Sequence, residues 1–451
     1  MDPILVLLVA LVLLVALIAT EVPVAFSLLT SGAVGLVLLR DAGYAFNTVA
    51  NTPYSATAVF TLTLIPMFVI MGMLVVQAGI ATDVYGFAAR TFARMPGGLG
   101  LATVAACAGF AAVTGSSAAT VATIGRISIT EMRRHGYSAS FAAGIVGAAG
   151  TLGILIPPSV VLIVYGTLSG ESVGELLIAG IVPGVLSAVL YGVLVMYRQR
   201  VEVSPAFVFE GQGGEVLAGE GVESSADVSG GQGWAAVAKI AVLFSIVVGG
   251  IYSGVFTATE SGAIAAFAAL ILLVWTAWRR PDMSVWGRVR AAIHETTSVT
   301  SMIFMLLIGG GVFTFFMASG GYARDFATWI VGLPVSGIAV VIFFLLMMIP
   351  LGMVLDGLSI MLITVPLMHP VVVELGYDGI WFAILVVKMI ELGLITPPVG
   401  INVYVVAGAS PDLTVEDAFK GVLWFGAVDA ATIAVLFAFP ALVPYLPGLI
   451  G

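Results

Sequence analysis

Two stretches 240 residues apart constrain this chain more than any other feature. Gly150-Thr151-Leu152-Gly153-Ile154-Leu155-Ile156-Pro157-Pro158-Ser159 lies inside a long apolar segment. Glu391-Leu392-Gly393-Leu394-Ile395-Thr396-Pro397-Pro398-Val399-Gly400 lies inside another. Proline lacks a backbone donor and glycine weakens a helix, so each segment predicts a helix broken near its middle. Hydrocarbon cannot satisfy the polar groups that a break releases. Each break must therefore face protein, an ion or a water-filled cavity. Paired breaks at matching places in two halves point to a binding site.

The surroundings are membranous. Hydrophobic residues make up 60% of the chain and charged residues 9%, against roughly 25% charged in soluble domains. Apolar runs long enough to cross about 30 Å of hydrocarbon recur throughout. The chain reads as an all-α polytopic membrane protein in a lipid bilayer. Its first run, 4–18, lacks the basic start and cleavage site of a signal peptide and reads as a retained helix. The single cysteine, Cys107, excludes an internal disulfide. A net charge of -9 argues against a nucleic-acid partner.

Ten crossings are expected: 4–19, 22–39, 57–80, 138–167, 175–197, 235–252, 259–278, 293–318, 379–408 and 420–446. Two further apolar segments, 98–132 and 337–373, are interrupted by Thr114-Gly115-Ser116-Ser117 and Asp356-Gly357. They read as re-entrant hairpins; two short crossings each is the competing reading. Positions 136–158 and 376–398 carry the same residue at Gly, Tyr, Ala, Val, Leu, Gly, Pro and Pro. The chain therefore divides into a first repeat (1–200), an acidic cytoplasmic linker (201–234) and a second repeat (235–451). Each repeat holds five crossings and one hairpin. Five is odd, so the two repeats are inverted relative to one another in the membrane. Arg90, Arg94, Arg133 and Arg134 flank the first hairpin. Counting crossings from there puts most of the remaining Lys and Arg on that same cytoplasmic side, with both termini periplasmic. Segment 281–292 reads as an interfacial helix with Trp286 at the headgroups, and 41–56 as its counterpart on the other side.

Small cations need several oxygen ligands, and the C-terminal end of a half-helix supplies carbonyls carrying partial negative charge. A first cation site is expected from Thr114, Ser116, Ser117, Gly150, Gly153 and Ile156. A second is expected from Asp356, Gly357, Glu391, Gly393 and Thr396. Half-helix N-termini between them suit an anionic substrate group, with Ser116, Pro158, Ser159, Pro398, Asn402 and Arg126 as substrate-binding candidates. Bland readings stand beside these. Ser116-Ser117 also suits close helix packing, Lys388 and Glu391 also suit a buried ion pair, and Arg126 also suits snorkelling to the cytoplasm. Enzyme signatures are missing. There is no G-x-x-x-x-G-K-[ST] loop and no H-E-x-x-H, and His135, His294 and His369 are scattered. No catalytic residue, cofactor or metal beyond the cation is expected.

Gly115-Ser116-Ser117, Ile124-Gly125, Gly136-Tyr137, the Gly153–Ser159 string, Phe256-Thr257-Ala258-Thr259-Glu260 and the Gly393–Gly400 string occur in this order. The ordered set resembles the large membrane subunit of the tripartite ATP-independent periplasmic (TRAP) transporters over nearly the whole chain. The chain departs from that pattern at Ala258, at Lys388 and in its long acidic linker. The resemblance implies sodium-coupled import of an organic acid across the bacterial inner membrane. It implies delivery by a periplasmic substrate-binding protein and a complex with a small four-helix membrane subunit. It also implies an elevator movement of 98–167 and 337–408 against a scaffold of 4–39, 57–80, 175–197, 235–278, 293–318 and part of 420–446. A stand-alone sodium–carboxylate symporter and a solute channel on the same inverted repeat are the alternatives.

Overall fold

The computed structural model describes residues 2–203, 230–279, 284–411 and 413–449. The acidic stretch 201–234 lies outside them apart from its edges, as do Arg280 and residues 281–283. The regular elements among the described residues are helices, save one isolated antiparallel bridge between Tyr137 and Val203. Among them, seven helices are long and apolar enough to cross a membrane.

The first interrupted segment is a pair of helices, Gly98–Thr114 and Ser117–Arg134. The second is Gly337–Gly352 and Gly357–Glu374. Both breaks occur where the prolines demand them. Ala139–Thr151 ends in a 3-10 turn, Leu152–Ile154, and the chain resumes as Val160–Ser169. Gly379–Ile395 stops before Thr396-Pro397-Pro398 and resumes as Ile401–Ala407. Ser138 and Asp378 cap the two equivalent starts, accepting from the N–H groups of Phe141 and Trp381. They satisfy donors that a first helical turn leaves open.

Packing sorts the helices into two bodies. In the first, Pro3–Ala19, Val24–Leu39, Leu64–Gln77, Ala258–Arg279 and Val285–Ser319 lie together. Small residues let backbones meet there: a β-carbon on Gly32 would lie 2.9 Å from Phe313 Cα, and one on Gly309 would lie 2.0 Å from Ala25 O. The second body holds both hairpins and both broken helices. It also holds Ile181–Glu202 and Val415–Ala438, which corrects their expected place in the scaffold. A β-carbon on Gly421 would lie 1.8 Å from Ser140 O, and Trp381 Nε1 donates to Leu436 O at 3.0 Å. The last helix thus lies directly on both broken helices.

Three boundaries differ from expectation. Val285–Ser319 is one helix of 35 residues, about 52 Å at 1.5 Å per residue, so the expected interfacial helix has no separate existence from Val285 on. No proline or glycine between Arg288 and Ile308 could end it. Its counterpart is a separate helix, Ala42–Thr57, capped by Asp41. The last helix starts at Val415, after the Thr414 cap, and stops at Ala438. Finally, Ile80–Phe92 and Tyr322–Val331 fall where the apolar pattern predicts no element. Each is short, carries charges and follows a glycine at positive φ, Gly79 at 71° and Gly321 at 73°.

Candidate functional site

The hairpin tips and the helix breaks come together. At the first tip Gly115 ends one arm in the left-handed region, φ 61°, and Ser116 caps the next. A β-carbon on Gly115 would lie 2.2 Å from Pro158 O, and one on Gly153 would lie 2.7 Å from Ser116 O. The tip therefore rests on the first break with no room for a side chain between them. Gly352 and Gly393 do the same in the second half, where a β-carbon on Gly352 would lie 2.8 Å from Gly393 Cα.

Between the two sets lies a cavity of about 310 Å³. Six candidate residues line it: Thr114, Ser116, Ser117, Asp356, Gly357 and Asn402. Its polar groups are mostly held in place. Ser116 Oγ accepts from Ala119 N at 3.4 Å, and Asp356 accepts from Ser359 N at 3.2 Å and from the Ser359 hydroxyl. Thr114 Oγ1 lies 3.1 Å from Thr120 Oγ1. Ser117 Oγ donates to Asn402 Oδ1 at 3.4 Å, joining the first hairpin to the second broken helix. The Asn402 side-chain nitrogen is buried and has no partner.

The cavity is framed by helix beginnings. Ser117, Val160, Gly357 and Ile401 are the first residues of four helices, and all four line it. The first-turn N–H groups left free by the caps and the aligned peptide dipoles bring partial positive charge to the walls, opposed at one helix by the Asp356 carboxylate that caps it. None of the described residues lining the cavity is basic. The remaining walls, including Val69, Met73, Met302 and Ile303, are apolar and come from the first body. The cavity thus sits between the two bodies.

The other candidates fall outside the lining. Gly150 packs against Val121, and Ile156 against Gly184. Pro158 supplies the carbonyl under Gly115. Ser159 caps its half-helix by accepting from Leu162 N at 3.2 Å while donating to Ile154 O at 2.5 Å. Thr396 Oγ1 donates to Leu392 O at 2.6 Å. Gly393 and Pro398 belong to the second break, and Arg126 is exposed on the second arm of the first hairpin. Glu391 is displaced furthest from expectation. Its Oε2 accepts from Lys388 Nζ at 2.5 Å, in a cluster buried away from the cavity. Lys388 also donates to Asp429 Oδ1 at 2.6 Å, a residue the sequence reading leaves out. A lone acid inside the apolar run of Val415–Ala438 was the available signal. A second unread network joins Tyr165 O–H to His369 Nδ1 at 2.9 Å and His369 Nε2 to Glu171 Oε1 at 3.4 Å.

Residues 11–442 match the family described as Tripartite ATP-independent periplasmic transporter, DctM component. The chain belongs to this family. It is therefore a multi-span transporter permease component and not an enzyme. A C4-dicarboxylate TRAP transporter large permease protein of Pseudomonas aeruginosa is 35% identical over 355 residues, 78% of each chain. A sialic acid TRAP transporter large permease protein of Vibrio cholerae is 28% identical, covering 96% of each. Among solved structures, the YdaH transporter of Alcanivorax borkumensis aligns with a TM-score of 0.64 over 90% of each chain at 14% identity, a likeness of fold.

Proposed function

We propose that this DctM-family chain imports a small organic acid coupled to sodium, by an elevator movement of the hairpin-bearing body against the other. One observation carries the reading: four helix beginnings converge on one cavity between the bodies, with no basic side chain in its lining. Each N-terminus stabilises an anion by up to about 2 kcal/mol in a partly buried setting. Several together take the place of a cationic side chain for a carboxylate. A volume of about 310 Å³ lies at the small end of ligand sites and suits an acid of C4-dicarboxylate size.

Sodium is assigned to the opposite polarity, the C-terminal ends of the helices that precede those four. The first site draws on Thr114, Ser116, Ser117, Gly150, Gly153 and Ile156, where a C-terminal half-helix end meets the first tip. The second draws on Asp356, Gly357, Gly393 and Thr396, with Glu391 diverted to Lys388. The inverted repeat explains why the two sites are matched. A tip that stops on the break of a long helix supports hairpins over paired crossings. Family membership supports a small membrane subunit, a periplasmic binding protein as the source of substrate, and a bacterial inner-membrane location with periplasmic termini.

The test is uptake of a labelled C4-dicarboxylate into proteoliposomes holding this chain with its small subunit and binding protein. Uptake driven by an inward sodium gradient, dependent on the binding protein and lowered by Ser116→Ala or Asp356→Ala, is expected. Uptake indifferent to sodium and to the binding protein refutes the reading and favours a channel or simple carrier.

A further inference from the structure

The buried cluster around Lys388 has no part in the cavity, and its charges do not balance. Lys388, Glu391 and Asp429 are each 0% exposed. Lys388 Nζ donates to Glu391 Oε2 at 2.5 Å, Asp429 Oδ1 at 2.6 Å and Ser187 Oγ at 3.2 Å. An ammonium has three protons, so these three acceptors exhaust it. Tyr191 O–H donates to the same Asp429 Oδ1 at 2.6 Å. The second oxygens, Glu391 Oε1 and Asp429 Oδ2, are buried without any hydrogen-bond partner.

Lys388 and Glu391 stand on Gly379–Ile395, Asp429 on Val415–Ala438, Ser187 and Tyr191 on Ile181–Glu202, and Thr151 beside Tyr191 on Ala139–Thr151. The other basic residues on these elements are engaged elsewhere: Arg198 pairs with Glu202, Lys420 pairs with Glu416 and Arg200 is exposed, so none brings a second positive charge to the cluster. Gly379–Ile395 is also packed by Gly337–Gly352, Gly357–Glu374, Val173–Ala179, Val160–Ser169 and Ile401–Ala407, none of which carries a Lys or Arg. Fully ionised, the cluster would hold one cation and two anions. An uncompensated buried charge costs several kcal/mol, and two orphaned carboxylate oxygens add to that.

We propose that this cluster is a proton-binding site. One proton, shared by the Glu391–Asp429 pair at the oxygens that lack partners, leaves one ammonium, one carboxylate and one carboxylic acid. A proton fits better than a metal ion, because the Lys388 ammonium already stands between the two carboxylates and takes one oxygen from each. The titration belongs to the pair and not to either residue. The site is coupled to the second hairpin, because Gly393, two positions beyond Glu391, lies backbone to backbone on Gly352.

Infrared spectroscopy of the purified complex in lipid nanodiscs, prepared in water and in deuterium oxide at neutral pH, tests it. Wild type is expected to show the isotope-sensitive carbonyl stretch of a buried carboxylic acid. Glu391→Gln and Asp429→Asn each leave one ammonium and one carboxylate, which balance without a proton. Both variants must therefore lose the band, and their amides preserve the shape of the acid. Lys388→Met leaves two unpaired carboxyls and should raise the band roughly twofold, since both then hold protons. A wild type without the band, or a band that survives in either amide variant, overturns the proposal. Sodium-dependent thermal stabilisation that both amide variants lose, with no band in wild type, would assign a metal ion to the cluster and overturn it equally.

Discussion

Gly115→Ala is the most direct probe of the tip-on-break contact. The residue sits at φ 61°, and an added β-carbon would lie 2.2 Å from Pro158 O. Two penalties combine. A left-handed conformation costs an L residue about 1–2 kcal/mol. Overpacking a tight contact typically costs about 1–3 kcal/mol more. The tip must either retreat from the break by about 1 Å or carry a strain of about 2–5 kcal/mol. Either response spoils the sodium site proposed between the two surfaces. Sodium-driven uptake should then need at least about tenfold more sodium for half-saturation, since 1.4 kcal/mol is a factor of ten. Thermal unfolding of the purified complex should also move down. Gly109→Ala is the control, because it stands in the same arm with nothing within 4 Å of its β-carbon. Helix propensity alone favours alanine there by about 1 kcal/mol, so stability should hold or rise. Equal sodium dependence and equal stability in wild type, Gly109→Ala and Gly115→Ala would refute the reasoning.

Three further outcomes are expected. Asn402→Ala removes the unpartnered buried donor at the cavity wall; a hydrogen bond to a charged group is worth about 1.5–3 kcal/mol, so substrate KM should rise about 10- to 100-fold, and an unchanged KM in the uptake assay sinks that role. Glu171, in the loop after Ser169, has its carboxyl raised by burial and then by Asp378 and Glu175; a carboxyl raised on folding contributes stability below its unfolded value that is lost as pH rises through the folded one, so Glu171→Gln should flatten the fall of unfolding temperature over that range, and a profile identical to wild type counts against it. A Gly310→Cys, Leu362→Cys pair joins the two bodies, because a β-carbon on Gly310 would lie 3.2 Å from Leu362 Cβ, close to the about 3.5–4.5 Å of a disulfide. Oxidation should stop uptake and reduction restore it; full activity with the bond formed would exclude relative movement of the bodies at that contact.

The fold was legible where local chemistry alone decides it. Pro157-Pro158 and Pro397-Pro398 end helices in any surroundings, and Ser138 and Asp378 cap whatever follows them. The matched spacing of these signals is what led to the expectation of two repeats. What remained hidden has a common cause. Ile80–Phe92 and Tyr322–Val331 are short, charged and only half-buried helices, so no long apolar run marks them. The division into bodies was unreadable at Ile181–Glu202 and Val415–Ala438 because every crossing is apolar on all sides. The close approach of Gly421 to Ser140 O and the bonds Trp381–Leu436, Lys388–Ser187 and Tyr191–Asp429 tell which neighbours they chose.

The site follows the same logic one level down. Thr114, Ser116, Ser117, Asp356, Gly357 and Asn402 could be placed near one another from the sequence because each stands at a hairpin tip or just past a helix break, and all six line the cavity. Half-helix N-termini were expected beside an anion, but that Val160 and Ile401 begin them was not, because the contribution comes from first-turn N–H groups and not from side chains. Backbone chemistry of this kind is invisible to residue identity and becomes apparent only once several helix ends are seen to aim at one space. Glu391 failed for the opposite reason. Its side chain was conspicuous, and Lys388, three positions earlier on the same helix, captures it; what stayed hidden is Asp429, 38 positions further on and on another crossing, which shares the same ammonium. An intramembrane charge read alone suggests a ligand. Read with every other intramembrane charge as a balance that must come to zero, Lys388, Glu391 and Asp429 form one unit whose missing positive charge is the thing to look for.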